Sequence, residues 1–346
     1  MIESMNMRYS VIFTLTAFLT PALPLILVSP GIPATATNEA LVEAAKREGE
    51  VVYYASMNLS EANAIIVEFE KRHPYIKVKL NRTGSEKLLA KVMTEYRAKK
   101  LPADVIQTVE FSMHLFNRGG VLAPYIPRDN SQYPGEFKEE GFWTTVYYNP
   151  YVVAYNTKLV PRQTVPKRYE DLLDAKWKGK MMMDGTKADW FGGILQIMGQ
   201  ERGLKYMRDL AKQQPSAREG HELLAQLVAA GEGLMDVNIP VASVERMKER
   251  GAPIDWTAVG AAPAIMVGIG LSSQAAHPNA AKLYMDFVLS REGQKLMRTP
   301  GRLVARSDLA QEQADLVKEV KVTPVNPALA EKLGEYAKQL RAIFGG

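Results

Sequence analysis

The sequence contains no cysteine among its 346 residues. This absence excludes disulfide bonds, thiolate metal sites and a cysteine nucleophile, and it excludes a lipid-modified N-terminal cysteine that would tether a secreted chain to a membrane. Histidine is scarce too, and the four histidines, at positions 73, 114, 221 and 277, lie far apart. Each is more typical of a surface or helix-capping residue than of a metal ligand. We therefore expect no resident metal and no cofactor.

Sequence signatures of the common enzyme classes are also missing. The pair His221–Glu222 resembles the start of a zinc-protease motif, but Ala225 stands where that motif needs its second histidine. Gly268–Gly270 begins a dinucleotide fingerprint that Ser273 leaves incomplete. The sequence has no Gly-x-Ser-x-Gly nucleophile elbow and no Walker lysine loop, and no two carboxylates stand out as an acid–base couple. We therefore expect a protein that is not an enzyme.

A strong charge of either sign is absent. The net charge is +5, and the chain is 23% charged and 47% hydrophobic, which is ordinary for a globular protein. The densest basic stretches, residues 71–82 and 167–180, interleave apolar or acidic residues and are typical of solvated faces. Binding to nucleic acid would need a clustered basic stripe, so we expect no nucleic-acid partner. The small positive excess favours an anionic ligand.

The longest hydrophobic run lies near the N-terminus, where residues 11–28 carry no charge. Ala34 and Ala36 then place small residues at the two positions that a signal peptidase reads. The pattern predicts a cleaved secretory signal over residues 1–36 and a mature protein in the periplasm. The alternative is a membrane anchor, but two prolines interrupt this run of 18 residues, which is marginal for a hydrocarbon core of about 30 Å.

The mature sequence has the pattern of an α/β protein. Strand-like runs at residues 51–55, 75–80 and 103–109 alternate with helical segments whose apolar residues recur every three or four positions. Residues 142–160 form a long, extended, aromatic stretch that we expect to cross from one lobe to another. A second α/β stretch follows, and the pattern returns to strand near residue 257. This alternation predicts parallel sheets.

Two polar turns open helical segments directly after strands, Thr83–Ser85 and Asp184–Thr186. The first backbone N–H groups of a helix are unpaired and carry a partial positive charge, so an anion can bind there. At the first turn, Thr83 and Glu86 can instead form a capping box. At the second turn, the alternative is a turn with a cap and a core position for Trp190. If the halves fold as two lobes, the two helix starts face each other across a cleft.

The chain resembles the extracellular solute-binding proteins of bacterial ABC importers, and within them the ferric-iron-binding type. The resemblance spans nearly all of residues 45–310. It is carried by residues 51–92, "PADVIQ" (102–107), "YVVAYNTKLV" (151–160), "LLAQLVAAGE" (223–232) and "HPNAAKLYMDFVLSREGQKLM" (277–297).

The resemblance implies a type II periplasmic-binding-protein fold with the ligand clamped between two α/β lobes. It places residues 37–147 and 258–346 in lobe 1 and residues 148–257 in lobe 2. It also implies a small-molecule solute, a permease and an ATPase of the inner membrane as partners, no catalysis, and a monomeric protein.

Position within the family suggests which side chains line the cleft and bind the solute. They are Ser56, Met57, Thr83, Gly84, Ser85, Thr108, Tyr148, Thr186, Trp190, Arg218 and Asn238. Helix starts, hydroxyls and an arginine suit a carboxylate, phosphate or phosphonate, while the aromatic rings can wall an organic part.

One departure from the family concerns iron. Iron binders of this type carry a Tyr-Tyr pair after the helix that ends in "LVAAGE", and phenolates suit a hard ferric ion. This chain has Val237 and Asn238 in that stretch, and the pairs Tyr53–Tyr54 and Tyr147–Tyr148 lie elsewhere. We therefore expect an anionic solute. Ferric iron or a metal chelate, held by Tyr148 and a carboxylate such as Glu110, remains the alternative.

Overall fold

A computed structural model describes residues 34–298, 301–309, 312 and 320–345. The predicted signal segment lies outside these residues except for its last three. Within the described part of the chain, no helix combines the length and the apolar character that crossing a membrane requires.

The first half of the chain alternates strands and helices as the sequence pattern predicts. Its helices are α1 (Ala34–Glu48), α2 (Leu59–Arg72), α3 (Ser85–Arg97) and α4 (Glu110–Arg118). Its strands are β1 (Glu50–Ala55), β2 (Lys77–Arg82), β3 (Val105–Val109), β4 (Leu122–Ala123), β5 (Lys138–Glu139) and the long β6 (Trp143–Asn156).

The remaining elements follow the long strand. The strands are β7 (Met181–Asp184), β8 (Ser216–Arg218), β9 (Met235–Pro240), β10 (Ile254–Thr257), β11 (Ala261–Ser272) and β12 (Lys321–Pro324). The helices are α5 (Ala188–Met198), α6 (Gln200–Ala211), α7 (His221–Ala230), α8 (Val241–Glu249), α9 (Pro278–Leu289), α10 (Arg291–Met297) and α11 (Leu333–Phe344).

The strands form one continuous path in the order β2-β1-β3-β11-β6-β9-β7-β8. β1 is parallel to β2 and β3, and β7 is parallel to β8 and β9. Two antiparallel strands, β11 and β6, join these groups. β6 pairs with β11 up to Pro150 and with β9 from Tyr151 onward, so the aromatic stretch does pass from one half of the sheet to the other.

Each half has its own apolar core. Tyr53, Phe69 and Tyr284 belong to the core of the first half, and Phe191 and Met207 belong to that of the second. The two cores give each group of parallel strands a buried face, because helices cover a parallel sheet on both sides.

The C-terminal helix packs against the second half of the molecule. Tyr336 and Leu340 of α11 lie in the core of that half, and α11 contacts α5 and α6. The apolar face of α11 is buried against those helices. The assignment of residues 37–147 and 258–346 to lobe 1 and of residues 148–257 to lobe 2 stays a prediction.

Helix α2 shows how the sequence specifies an element. Its stripe of Ile65, Ile66 and Phe69 is buried, as its spacing predicts. Its N-cap is Asn58, whose side chain accepts a hydrogen bond from the backbone N–H of Ser60. The helix therefore begins at a local side-chain cap.

Candidate functional site

A cavity of about 350 Å³ lies between the two halves. Ser85 and Glu110 line it from the first half, and Ala188, His221 and Pro240 line it from the second. A volume of this size suits a small-molecule ligand, and clefts between lobes of α/β proteins are common ligand sites.

Five helices begin at the cavity. Ser85, Glu110, Ala188 and His221 are the first residues of α3, α4, α5 and α7, and Pro240 directly precedes α8. In the described part of the chain, none of the five N-cap residues caps its helix through its own side chain. Their first N–H groups and partial positive charges therefore point to a common region, which favours a negatively charged group there.

The alternative for the first helix start, a capping box of Thr83 and Glu86, does not form. The N-cap of α3 is Gly84, without a side-chain cap, so Thr83 and Glu86 do not close the helix end. Thr83 lies one position before the N-cap. Its N–H donates to the backbone oxygen of Ala55 (3.1 Å), so Thr83 continues the β1–β2 pairing. The helix start is left open to a ligand.

A buried aspartate organises the second helix start. The Asp184 carboxylate accepts hydrogen bonds from the Thr186 N–H (3.0 Å), the Thr186 hydroxyl (2.6 Å) and the Gly220 N–H (3.0 Å). Asn238 accepts from the backbone N–H of Asp184 (2.8 Å) and donates to its carbonyl (3.0 Å). These bonds hold the starts of α5 and α7 side by side. Thr186 and Asn238 thus support the cavity wall.

The electrostatic balance at Asp184 keeps it charged. Burial acts to raise its pKa, but the ammonium of Lys187 and the donors from Thr186 and Gly220 outweigh burial and lower the pKa. The Lys187 ammonium lies 3.8 Å from the carboxylate and lines the cavity. It is therefore a cation placed at the same point where the helix starts converge.

His221 lies at the cavity, at the start of α7. Its ring lies 5.8 Å from the Tyr151 ring, and its Nδ1 is 3.9 Å from the Asp184 carboxylate and without a hydrogen-bond partner in the described residues. Burial and the charge of Lys187 lower its pKa to about 4, although Asp184 acts against this. The imidazole is therefore neutral at pH 7 and can either donate or accept a hydrogen bond.

Two carboxyl groups of the polar lining come from opposite halves. Glu110 is 0% exposed, and its Oε2 accepts a hydrogen bond from the N–H of Met266 (3.0 Å). Asp189 accepts from the Tyr151 hydroxyl (3.0 Å). Burial raises the pKa of both groups; the charge of Asp189 adds to the increase at Glu110, whereas Lys187 opposes the increase at Asp189.

Alternate residues of β6 face the cavity. Tyr147, Asn149 and Tyr151 line it, whereas the ring of Tyr148 packs against Phe137 (4.9 Å between centroids). Successive side chains of a strand point to opposite faces, which explains the alternation. Burial in that second environment raises the pKa of Tyr148 to about 12. The structure therefore does not bring Tyr148, predicted as a site residue, to the cavity.

Three predicted site residues line the cavity: Ser56, Ser85 and Thr186. Thr83 and Gly84 directly precede Ser85 in the same loop. An added Cβ at Gly84 would meet nothing within 4 Å, so there is open space beside this backbone.

The structure places other predicted residues away from the cavity lining. Met57 and Trp190 are 2% exposed and belong to the two cores, and Thr108 is fully buried within β3. Arg218 is exposed, donates to the carbonyl of Ala217, and lines a separate surface hollow beside α11. The first three residues are kept from the cavity because they pack among buried residues. Arg218 is kept from it because its side chain lies on the outer surface.

The residues that the sequence analysis missed are mainly the charged ones. Lys187, Asp189 and His221 line the cavity, and each lies within two residues of a helix start after a strand or turn. Their position beside a helix start was the sequence feature that could have identified them as site residues. Within the described part of the chain, no three His, Asp or Glu side chains group as a metal site would require.

Comparison with known proteins is consistent with this architecture. A family model described as bacterial extracellular solute-binding protein matches residues 56–295. The probable ABC transporter periplasmic-binding protein y4fP of Sinorhizobium fredii is 23% identical over 298 residues, which cover 76% of this chain and 78% of that protein.

Solved structures share the fold at low sequence identity. Iron-bound HitA from Pseudomonas aeruginosa superposes with a TM-score of 0.74 at 22% identity, covering 85% of this chain and 99% of that one. The periplasmic binding protein AfuA from Actinobacillus pleuropneumoniae, with exogenous fructose-6-phosphate bound, has a TM-score of 0.68 at 22% identity, with coverages of 86% and 97%. These two proteins hold different ligands, so the shared fold does not identify the solute.

Proposed function

The chain belongs to the bacterial extracellular solute-binding proteins, with their two-lobed α/β fold, and from that premise we propose that it is the periplasmic component of an ABC importer that captures a small anionic solute. The observation that carries the proposal is the convergence of five helix starts, without side-chain caps in the described residues, on one cavity between the halves. Carboxylates, phosphates and phosphonates are the groups that such a field favours.

The binding groups follow from the geometry. The Ser85 hydroxyl, the Lys187 ammonium and the first N–H groups of α3 and α7 are donors that an anion needs. The Asp184 network holds α5 and α7 in place before the ligand arrives, so little ordering is needed on binding. Closure of the two halves around the solute then removes it from water.

The partners and location form part of the proposal. The relative from Sinorhizobium fredii is named as a probable ABC transporter periplasmic-binding protein. We propose that this chain likewise reaches the periplasm through a cleaved signal, acts as a monomer, and delivers its solute to a permease and ATPase of the inner membrane. No step of this cycle needs catalysis or a cofactor.

Ferric iron is the second candidate. The phenols of Tyr147 and Tyr151 line the same cavity as Glu110 and Asp189, and iron takes ligands of these types. Burial raises the pKa of both phenols, and that of Tyr151 is raised well above its ordinary value, so forming the phenolate is costly before a metal arrives. This cost is why we place the anionic solute first.

A thermal-shift screen of the purified protein tests the proposal. The panel contains phosphonates, sugar phosphates, dicarboxylates, aromatic acids, polyamines, thiamine and ferric citrate. A ligand present at 100 times its Kd stabilises the native state by about 2.7 kcal/mol, which corresponds to a rise in Tm of roughly 5 °C or more for a protein of this size. We expect a shift with one class of acid. A shift with ferric citrate alone would favour the second candidate.

A further inference from the structure

Glu110 is a buried charge-bearing group that anion capture leaves without a role. Its side chain lines the cavity and is 0% exposed, and its Oε1 has no hydrogen-bond partner in the described residues. A buried polar atom without a partner is costly and uncommon. Since Oε2 is already held by the N–H of Met266, Oε1 is the free acceptor of a fixed side chain.

Other acceptors lie beside it in the same lining. Asp189 comes from the opposite half, is held by the Tyr151 hydroxyl, and interacts electrostatically with Glu110. Asn149 also lines the cavity, and its Oδ1 has no hydrogen-bond partner in the described part of the chain. Asn149 Oδ1 and the ionised forms of both carboxyl groups are acceptors only, so an anion cannot pair with them.

We propose that Glu110, Asp189 and Asn149 form a subsite for an alkylammonium group, so that the solute is a small zwitterion with a primary amine at one end and an acid at the other. The inference rests on the proposed function, since the acidic end is the one that the helix starts and Lys187 bind. It makes the amine a requirement for tight binding.

The chemistry of an ammonium group matches the subsite. An alkylammonium carries three donors and no acceptor, so it can meet Glu110 Oε1, the Asp189 carboxylate and Asn149 Oδ1 together. Because Glu110 and Asp189 belong to different halves, the amine also bridges the halves and favours the closed form.

The test compares matched probes by titration calorimetry at pH 7. The probes are aminoalkylphosphonates and ω-amino acids with two to four methylene groups, and the same acids without the amine. We expect an amino acid or aminophosphonate to bind about tenfold or more tighter than its matched acid.

Variants assign the effect to the subsite. Glu110→Gln keeps an acceptor for the N–H of Met266 but removes the charge, so the amine-bearing probe should lose about tenfold more affinity than the amine-free acid. Glu201→Gln, at the exposed start of α6, is the matched control and should change neither affinity. Thermal unfolding of each variant verifies that it is folded.

The outcomes distinguish a failure of the ammonium subsite from a failure of the proposed anion-binding function. If the amine-free acids bind as tightly as their amine-bearing partners, the ammonium subsite is wrong and the anionic proposal stands. Binding of ferric citrate to the exclusion of every acid overturns both, and so does a complete failure of the acids to bind.

Discussion

At the scale of single residues, Asp236 gives the protein a pH-dependent stability. It is completely buried in β9, its Oδ1 accepts a hydrogen bond from the N–H of Asn238 (2.9 Å), and its Oδ2 has no partner in the described residues. Burial raises its pKa to about 7, and the charge of Asp184 adds to this. The folded state therefore binds a proton at pH values where the unfolded state has already lost it.

The sign of the effect follows from this difference. The stabilising contribution is present below the unfolded pKa of about 4 and is lost as the pH rises to about 7, at a cost of up to about 4 kcal/mol. Asp236→Asn keeps the shape and removes the titration. We expect the variant to lose less stability between pH 4.5 and 7.5 than the wild type, and to be the more stable protein at pH 7.5, as urea unfolding measures it.

A surface carboxylate provides the control. Hydrogen bonds from Lys205 and Lys212 lower the pKa of Asp209 to about 2, so its contribution is present above pH 4 and lost only as the pH falls toward 2. Asp209→Asn should leave the pH dependence between 4.5 and 7.5 as it is. Parallel curves for the wild type and Asp236→Asn would contradict the prediction.

The sequence predicted which segments form the cavity better than which side chains face it. Alternation along β6 shows that Tyr147 and Tyr148 point to opposite faces, but only the sheet decides which face is the cavity. The same holds for Ser56, which lines the cavity, and Met57, which is buried in the core. Which side chains point into the cavity is determined by packing against strands that are distant in sequence. A single sequence does not show that packing.

At the scale of elements, the Asp184 network is a positioning device for two helices. Asp184→Ala removes the acceptor for Thr186 and Gly220, so the starts of α5 and α7 lose their shared anchor. We expect a loss of about 2–4 kcal/mol in unfolding free energy, since several buried hydrogen bonds are lost together. Denaturant unfolding measures this loss.

A second readout distinguishes positioning from general destabilisation. In Asp184→Ala the affinity for the solute should fall several-fold, although Asp184 itself does not contact the solute in our account. Asp174→Ala is a matched control, because its carboxylate accepts from the N–H of Lys176 in an exposed turn of the second half. Unchanged solute affinity in a folded Asp184→Ala protein would contradict the positioning role.

The packing of α5 under the C-terminal segment depends on a glycine. An added Cβ at Gly193 would lie 2.6 Å from the Cβ of Pro263 and 3.0 Å from a methyl group of Val325. Gly193→Ala should therefore force α5 away from β11 and destabilise the protein by about 1–3 kcal/mol. Thermal unfolding compares this variant with the wild type.

Gly334 is the control for this prediction because it lies in α11 with nothing within 4 Å of an added Cβ. Alanine is the better helix former, so Gly334→Ala should stabilise the protein by up to about 1 kcal/mol. If both variants shift the Tm in the same direction, the close approach at Gly193 does not constrain the fold.

Most elements were predictable and their ends were less so. Strands β1 to β3 and the helices between them follow from alternating and three-to-four-residue patterns, which are local properties. The cap at Gly84, and the packing of α11 on α5 and α6, depend on neighbours far away in sequence. Such long-range contacts determine where elements end and how they pack, and they produce no local sequence pattern.

At the scale of the whole molecule, β6 and β11 make the two halves one continuous sheet while the cavity lies between them. The matched family model spans residues 56–295, and the resemblance in the sequence already indicated this family and its two-lobed fold. The chemistry of the cavity was harder to predict because its charged lining comes from α4, α5 and α7, whose starts meet only in the folded protein.

The most direct test of the central claim is a calorimetric titration of the acid selected by the screen into two lysine variants. Lys187 lines the cavity, whereas Lys205 is exposed on α6 and pairs with Asp209. Lys187→Met should weaken binding by about tenfold or more, because a charge-assisted bond to the anion is lost, and Lys205→Met should bind like the wild type. Equal affinities in the two folded variants would contradict an anion site at this cavity.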